Sequence, residues 1–152
     1  MITAELETLE EKLMEGKKLK PLIMIVDDNI ELLEELENLL KLGGYDVITL
    51  SDGTKAFEMA FKNKPDLMLL DLRMSPKSGF QIADETSKSS YLKDIPVVAM
   101  TGFFTEKQHS LMMKLCGIKA VILKPFRPIN LFTKIEFVLG KNHLNDFDSE
   151  VT

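Results

Sequence analysis

Short apolar runs alternate along the chain with longer stretches whose apolar residues recur at helical spacing. Runs of four to six apolar residues bounded by turn signals are typical of strands buried on both faces of a parallel sheet. Four of the runs end directly on a polar residue: Asp27, Asp71, Thr101 and Lys124. The pattern predicts strands over residues 22–26, 45–50, 67–70, 95–100 and 119–123.

The stretches between and after these runs predict five helices. Each shows an apolar stripe at spacings of three and four, and glycines close the first and the fourth. The helix from Gly79 has a polar end over 86–90, which disfavours helix and predicts fraying there. The predicted ranges are 30–42, 54–62, 79–90, 106–116 and 128–139. Five strands alternating with five helices predict an α/β domain with a parallel sheet covered on both faces.

The ends of the chain differ from this repeating region. In residues 1–20, Ile2, Leu6, Leu9 and Leu13 fall on one face of a predicted amphipathic helix, which Gly16 and the following lysines close. This face has three open roles: packing on the domain, pairing with a second copy as a homodimer, or docking on a partner. Residues 141–152 are polar and acidic and predict a loose tail. We therefore expect an extension over 1–20, a domain over 21–140 and a tail.

Composition narrows the class of protein. The chain has 152 residues, 45% of them apolar, and a net charge of -5, so there is no electrostatic case for binding nucleic acid. The single cysteine, Cys116, excludes an intrachain disulfide framework and fits a reducing compartment. No apolar run approaches the ~20 residues of a membrane span, and the acidic N-terminus is unlike a signal peptide. We expect a cytoplasmic protein that does not enter membranes.

The polar residues at the strand ends are the candidate functional residues. In a parallel sheet, ligands bind outside the carboxyl ends of the strands, so Asp27, Asp28 and Asp71 are expected to meet. Clustered carboxylates repel one another unless a cation intervenes, and hard oxygen ligands suit Mg²⁺. The alternative is that Asp27-Asp28-Asn29 caps the helix from Ile30, and both roles can coexist.

Lys124 and Thr101 end the two remaining strands. Lys124 can pair with the carboxylates or with a phosphate bound among them; the alternative is an exposed lysine at the start of a loop. Thr101 adds a hydroxyl, and Gly102 after it lets the backbone approach a ligand closely. Taken alone, a threonine at a strand end is usually only a strand former.

Four motifs together carry a family resemblance. IMIVDDN at the first strand, LMLLDLRM at the third, VVAMTG at the fourth and ILKPF at the fifth occur in this order. In these motifs the chain resembles the receiver domain of two-component response regulators over about residues 21–140. The resemblance implies a flavodoxin-like doubly wound sheet of five parallel strands, in the order 2-1-3-4-5, with five helices.

The resemblance also implies a role for each strand-end residue. It makes Asp71 the phosphoacceptor for a histidine kinase or a phosphotransfer protein. Asp27, Asp28, Asp71 and the backbone carbonyl of Arg73 would hold Mg²⁺, while Lys124 and Thr101 would contact the phosphoryl group. Mg²⁺ and Lys124 are expected to keep Asp71 ionised. The implied protein is a switch rather than an enzyme, limited to self-phosphorylation and autodephosphorylation. Since residues 141–152 are too few for an output domain, we expect a stand-alone receiver that signals through an unidentified protein target.

Three departures from the family pattern affect this interpretation. Val121 stands where the family usually has an aromatic switch residue. Proline follows Ser75, one position later than usual, as Pro76. Arg73 and Phe103 fill the two variable positions that flank the phosphoryl group, where their bulk is expected to restrict the attacking water and lengthen the phosphorylated lifetime.

Two rival functions remain. A degenerate receiver would use the same fold only as a binding module, independently of phosphorylation, and the departures at Val121 and Ser75-Pro76 favour this alternative. A phosphatase of the haloacid dehalogenase type would place Asp-x-Asp after its first strand. Here the two acids are adjacent and Asp71 lies on the third strand, which argues against that hydrolase.

Overall fold

A five-stranded parallel sheet forms the centre of the molecule in the computed structural model. The structure describes residues 20–102 and 106–140, with the backbone alone for residues 106–109 and 112. The strands are β1 (Leu22–Val26), β2 (Asp46–Leu50), β3 (Leu67–Asp71), β4 (Val97–Thr101) and β5 (Ile118–Leu123). They pair in the order β2-β1-β3-β4-β5, and every neighbouring pair is parallel. The predicted doubly wound arrangement is confirmed.

Five α-helices connect and cover the strands of the described region. They are α1 (Ile30–Leu42), α2 (Ala56–Asn63), α3 (Gly79–Lys88), α4 (Glu106–Leu115) and α5 (Pro128–Leu139), with a 3₁₀ turn over Gly53–Lys55. Helices α1 and α5 pack on one face of the sheet. Helices α2 and α3 pack on the other face, together with Cys116, which directly follows α4. Two separate apolar cores result, one on each face, because alternate residues of a buried strand point to opposite faces.

The helices begin and end within a few residues of the predicted positions. Asp52 accepts a hydrogen bond from the backbone N–H of Thr54, so the second helix starts with the 3₁₀ turn. The Ile95 N–H donates to Leu92 in a turn, so β4 begins at Val97 rather than at residue 95. Helix α3 ends at Lys88, because Ser89 is already extended. This early end agrees with the polar composition of the segment.

Several predictions fall on parts of the chain that the structure does not describe. The amphipathic helix within residues 1–20, the acidic tail over 141–152 and the position of Phe103 lie outside the described residues. Within the described residues, none of the helices has the length and apolar character needed to cross a membrane.

Candidate functional site

Three carboxylates lie together at the carboxyl edge of the sheet. Asp27 follows β1, Asp28 is next to it, and Asp71 ends β3, which pairs directly with β1. One oxygen from each of the three carboxylates lies within 4.8 Å of the others. Asp27 and Asp71 are buried, with 0% and 6% of their surface exposed, whereas Asp28 is exposed. The cluster therefore faces solvent on one side only.

Asp27 and Asp71 are oriented by the same local hydrogen bond. In each case Oδ1 accepts from the backbone N–H two residues later, at 2.9 Å from Asn29 and at 3.0 Å from Arg73. Short acidic side chains commonly make this bond where a strand gives way to a turn. It fixes Oδ1 against the backbone and leaves Oδ2 of each residue for other contacts.

Lys124 supplies the positive charge of the site. Its Nζ donates to Oδ2 of Asp27 at 2.6 Å and lies 3.7 Å from Oδ2 of Asp71. The backbone N–H of Lys124 donates to the Thr101 carbonyl at 2.8 Å, which ties the end of β5 to the end of β4. The Lys124-Pro125 peptide bond is cis. One ammonium group thus bridges the two buried carboxylates.

Thr101 is the last residue of β4, the strand between β3 and β5. It is 1% exposed, and its carbonyl receives the Lys124 N–H. It therefore stands between the strand that carries Asp71 and the strand that leads into Lys124.

Capping of the helix from Ile30, the alternative role for Asp27 and Asp28, is performed by the next residue, Asn29. Asn29 is the N-cap of α1, and its side chain accepts from the Leu32 N–H at 3.2 Å. Asp27 receives the Asn29 N–H instead and points into the cluster. Capping and clustering coexist because two different residues perform them.

Gly79 is a residue of the site that the sequence interpretation left without a role. A Cβ at this position would lie 2.2 Å from the carbonyl oxygen of Asp71 and 2.8 Å from its carbonyl carbon. Ser78 and Gln81 form a capping box that starts α3 at this position. The Ser-x-x-Gln spacing was the available signal for the helix start. Nothing in the sequence pattern shows that the helix start touches the backbone of Asp71.

The positions that depart from the family pattern have different surroundings. Arg73 donates its backbone N–H to Asp71, and the residue is exposed to solvent. The Ser75-Pro76 peptide bond in the following loop is cis. Val121 is half-buried on β5 and packs against the core on the α2 and α3 side of the sheet.

Burial dominates the ionisation of Asp71. Desolvation raises the pKa of Asp71 above its ordinary value of 3.8, and the neighbouring charges of Asp27 and Asp28 raise it further. The Arg73 N–H and the Lys124 ammonium act in the opposite direction. Lys124 therefore favours the charged form, as expected, but in the metal-free chain its effect is smaller than that of burial. The remaining unfavourable charge is the kind of imbalance that a bound cation offsets.

We expect Asp71→Asn to stabilise the metal-free protein at neutral pH. A carboxyl whose pKa is higher in the folded state binds protons more tightly when folded, so stability falls as the pH rises from 3.8 through the raised value. The asparagine variant lacks this loss, so its free energy of unfolding at neutral pH should exceed that of the wild type. Urea unfolding in a chelator, near pH 4 and near pH 7, measures the difference. An equal effect of the substitution at both pH values would contradict this account.

The donor set of the site fits a magnesium ion. Carboxylate oxygens from Asp27, Asp28 and Asp71 surround one point, and Mg²⁺ prefers oxygen ligands with several waters retained. The exposed side at Asp28 leaves room for those waters. The cluster contains neither thiolate nor imidazole, the ligands that would favour zinc.

Comparisons with known proteins agree with this geometry. The family model described as the response regulator receiver domain matches residues 23–136. The chain is 31% identical over 133 residues to a probable transcriptional regulator, ycf27, of Guillardia theta, covering 88% of this chain and 51% of that protein. It is 30% identical to the polar-differentiation response regulator DivK of Brucella anthropi, covering 78% of this chain and 95% of that protein.

The fold comparison gives the same result. The chemotaxis protein CheY4 of Vibrio cholerae superposes with a TM-score of 0.74 at 27% identity, covering 78% of this chain and 98% of that structure. The chain spans about half the length of the ycf27 proteins that it matches.

Proposed function

Because this chain belongs to the response regulator receiver family, we propose that it is a phosphorylation switch whose acceptor is Asp71. Receiver domains are phosphoacceptor switches that generally bind Mg²⁺ at an acidic cluster. The observation that supports the assignment is the position of Asp71 Oδ2. The Arg73 N–H holds the other oxygen, Oδ1, against the backbone, whereas Oδ2 lies 3.7 Å from Lys124 Nζ.

The proposed reaction transfers a phosphoryl group to Asp71 Oδ2 from the phosphohistidine of a kinase or phosphotransfer protein. The P–N bond of the donor breaks as the new O–P bond forms, and the leaving imidazole takes up a proton. Catalysis of such a transfer consists mainly of positioning and of offsetting charge on the phosphoryl oxygens. The N–H of Arg73 orients the nucleophile, and Lys124 contributes a positive charge beside it.

The magnesium ion would be held by Asp27, Asp28, Asp71 and the backbone carbonyl of Arg73. Bound there, it would supply further positive charge for the phosphoryl oxygens. Lys124 and Thr101 would contact the phosphoryl group after transfer. Thr101 would carry the signal through its loop, because a dianion with additional acceptor oxygens favours a different local arrangement from that of the carboxylate.

Covalent phosphorylation tests the proposed function directly. Incubation with acetyl phosphate and Mg²⁺ should add the mass of one phosphoryl group to the wild-type protein, and chelation of Mg²⁺ should prevent it. Asp71→Asn should abolish the added mass, whereas Asp66→Asn, directly before the same strand, should keep it. No added mass on the wild type would favour the degenerate binding module. Added mass that persists in Asp71→Asn would assign the acceptor elsewhere.

We further propose that Arg73 and Phe103 set the lifetime of the phosphorylated state. Both would flank the phosphoryl group and limit access of the water that hydrolyses the aspartyl phosphate. We expect Arg73→Ala and Phe103→Ala each to shorten the lifetime severalfold while leaving the site of phosphorylation unchanged. Loss of the added mass with time, followed after removal of the phosphodonor, measures this effect. If both variants keep the lifetime of the wild type, Arg73 and Phe103 do not control hydrolysis of the aspartyl phosphate.

The output is proposed to be a change in protein–protein contacts. DivK, matched over 95% of its length, supports a stand-alone receiver, whereas the ycf27 proteins are about twice as long. A cytoplasmic location is supported by the single free cysteine, Cys116, which is buried. Co-purification with the phosphorylated and unphosphorylated forms would identify the target, and recovery of identical partners with both would argue against a switch.

A further inference from the structure

An apolar groove runs between the edge strand β5 and helix α5. Its volume is about 650 Å³, and Val121, Leu123, Lys134 and Phe137 are among the residues that line it. Leu123 is 53% exposed and Phe137 is 68% exposed. Large apolar side chains exposed side by side in a groove mark a surface that binds another apolar element.

The two sides of α5 differ in charge. On the side toward α1, Phe132 stacks on Tyr45. Burial raises the pKa of Tyr45, and the negative charge of Glu136 raises it further. On the side toward β5, Lys134 is the charged residue of the groove lining. Glu136 lies toward Tyr45 and is not part of the groove lining. The β5–α5 groove is therefore mainly apolar, and its charged residue, Lys134, is positive.

Two other grooves of the described region carry acidic residues. The groove between α1 and the start of α5 includes Glu35 along with Lys124, and the shallow groove beside α2 and α3 includes Asp84 and Glu85 along with Lys88. An acidic amphipathic segment would meet like charge in both. Charge therefore favours the β5–α5 groove for such a segment.

The chain itself contains an acidic amphipathic segment. Residues 2–13 carry four glutamates and one lysine. With 3.6 residues per turn, Ile2, Leu6, Leu9 and Leu13 form one stripe, and Glu5 and Glu10 lie on opposite sides of it, each about 70° from its centre. The segment thus presents an apolar stripe with one glutamate on each side, and Lys12 lies about 90° from the centre on the Glu5 side.

The segment can reach the groove of its own chain. Pro21 lies at the amino end of β1, where its carbonyl accepts from the Asp46 N–H. Three strand spacings, about 14 Å, separate β1 from β5, and the seven residues 14–20 can span up to about 23 Å. A helix over residues 2–13 would be about 18 Å long, the same as the twelve-residue α5.

We propose that residues 2–13 pack as an amphipathic helix in the β5–α5 groove of the same chain. The apolar stripe covers Val121, Leu123 and Phe137, and a bordering glutamate lies beside Lys134. Three observations support this choice: the span of residues 14–20, the matching lengths of the segment and α5, and the opposite charges of the glutamates and Lys134. The docked segment covers the outer side of β5 next to Lys124. The inference does not depend on phosphorylation of Asp71.

Contacts between the segment and the groove test the proposal in the full-length protein. Nuclear Overhauser effects should join the Leu6 and Leu9 methyl groups to the Phe137 ring. They should be lost in the double variant Ile2→Ser/Leu13→Ser, which keeps both reporting leucines but removes the two ends of the stripe, and kept in Glu7→Ser/Glu11→Ser, which changes the opposite side of the helix. In a mixture of isotope-labelled and unlabelled protein, effects seen between labelled and unlabelled chains would overturn the proposal in favour of a second copy.

A matched pair of substitutions on α5 provides the second test. Phe137→Ser should speed amide exchange over residues 2–13 by about tenfold or more, because it removes the largest apolar contact. Ile129→Ser should leave that exchange unchanged, since Ile129 is 63% exposed on the same helix and does not line the groove. Fast exchange over residues 2–13 in the wild type, or equal effects of both substitutions, would overturn the proposal.

Discussion

The substitution Gly79→Ala is expected to lower the free energy of unfolding by about 3 kcal/mol or more. The added Cβ would lie 2.2 Å from the Asp71 carbonyl oxygen and 3.1 Å from the Leu72 Cα, and both are backbone atoms. A rotamer change cannot relieve this overlap, so either α3 or the end of β3 must move. Because Asp71 ends β3, the same displacement should also reduce the proposed phosphorylation of Asp71.

Gly102→Ala is the matched control for this prediction. Apart from its own chain neighbours, no heavy atom of the described residues would lie within 4 Å of a Cβ at position 102, so this variant should unfold near the wild-type midpoint. Chemical denaturation of the two variants side by side measures the difference. Similar losses in both would mean that backbone freedom, rather than the contact with Asp71, explains the glycine at position 79.

Replacement of Lys124 by methionine should have the second-largest effect. The stem of the side chain is preserved, but Asp27, which is fully buried, loses the ammonium 2.6 Å from its Oδ2. Breaking a buried ion pair leaves an uncompensated charge, which costs about 3–5 kcal/mol. Lys124 is 24% exposed, so we expect the metal-free protein to lose about 2 kcal/mol at neutral pH.

The way in which the stability of Lys124→Met changes with pH and Mg²⁺ concentration distinguishes a lost ion pair from lost packing. The destabilisation by Lys124→Met should shrink as the carboxylates become protonated at low pH, and added Mg²⁺ should stabilise the variant more than the wild type. Lys88→Met removes an exposed ion pair with Asp84 and should cost less than about 0.5 kcal/mol. Thermal unfolding across pH and Mg²⁺ concentration measures both variants. A loss that is independent of pH and Mg²⁺ would assign Lys124 a packing role.

The architecture was predictable from the sequence because the three central strands, β1, β3 and β4, are buried along almost their whole length. The runs at 22–26 and 67–70 are uniformly apolar, as strands covered by helices on both faces must be. The meeting of Asp27 with Asp71 was predictable for a related reason. Both follow such runs, and parallel strands bring their carboxyl ends to one edge.

Contacts that depend on precise distances were not predictable. The sequence does not reveal that Lys124 lies nearer to Asp27 than to Asp71, or that desolvation outweighs it in setting the pKa of Asp71. The approach of Gly79 to the Asp71 carbonyl belongs to the same class, because it depends on how closely a helix start packs on a strand end. Periodicity gives the order of the elements and not these separations.

The ion pair between Lys124 and Asp27 has a consequence for biosynthesis. Its two residues are 97 positions apart, and β5 is the last strand of the sheet along the chain. A nascent chain is made from its N-terminus, so the carboxylates at the carboxyl ends of β1 and β3 exist before the lysine that pairs with them. Until β5 adds to the edge of the sheet, the acidic residues repel one another without their ammonium. The last step in completing the sheet therefore also brings in the ammonium that offsets part of this negative charge.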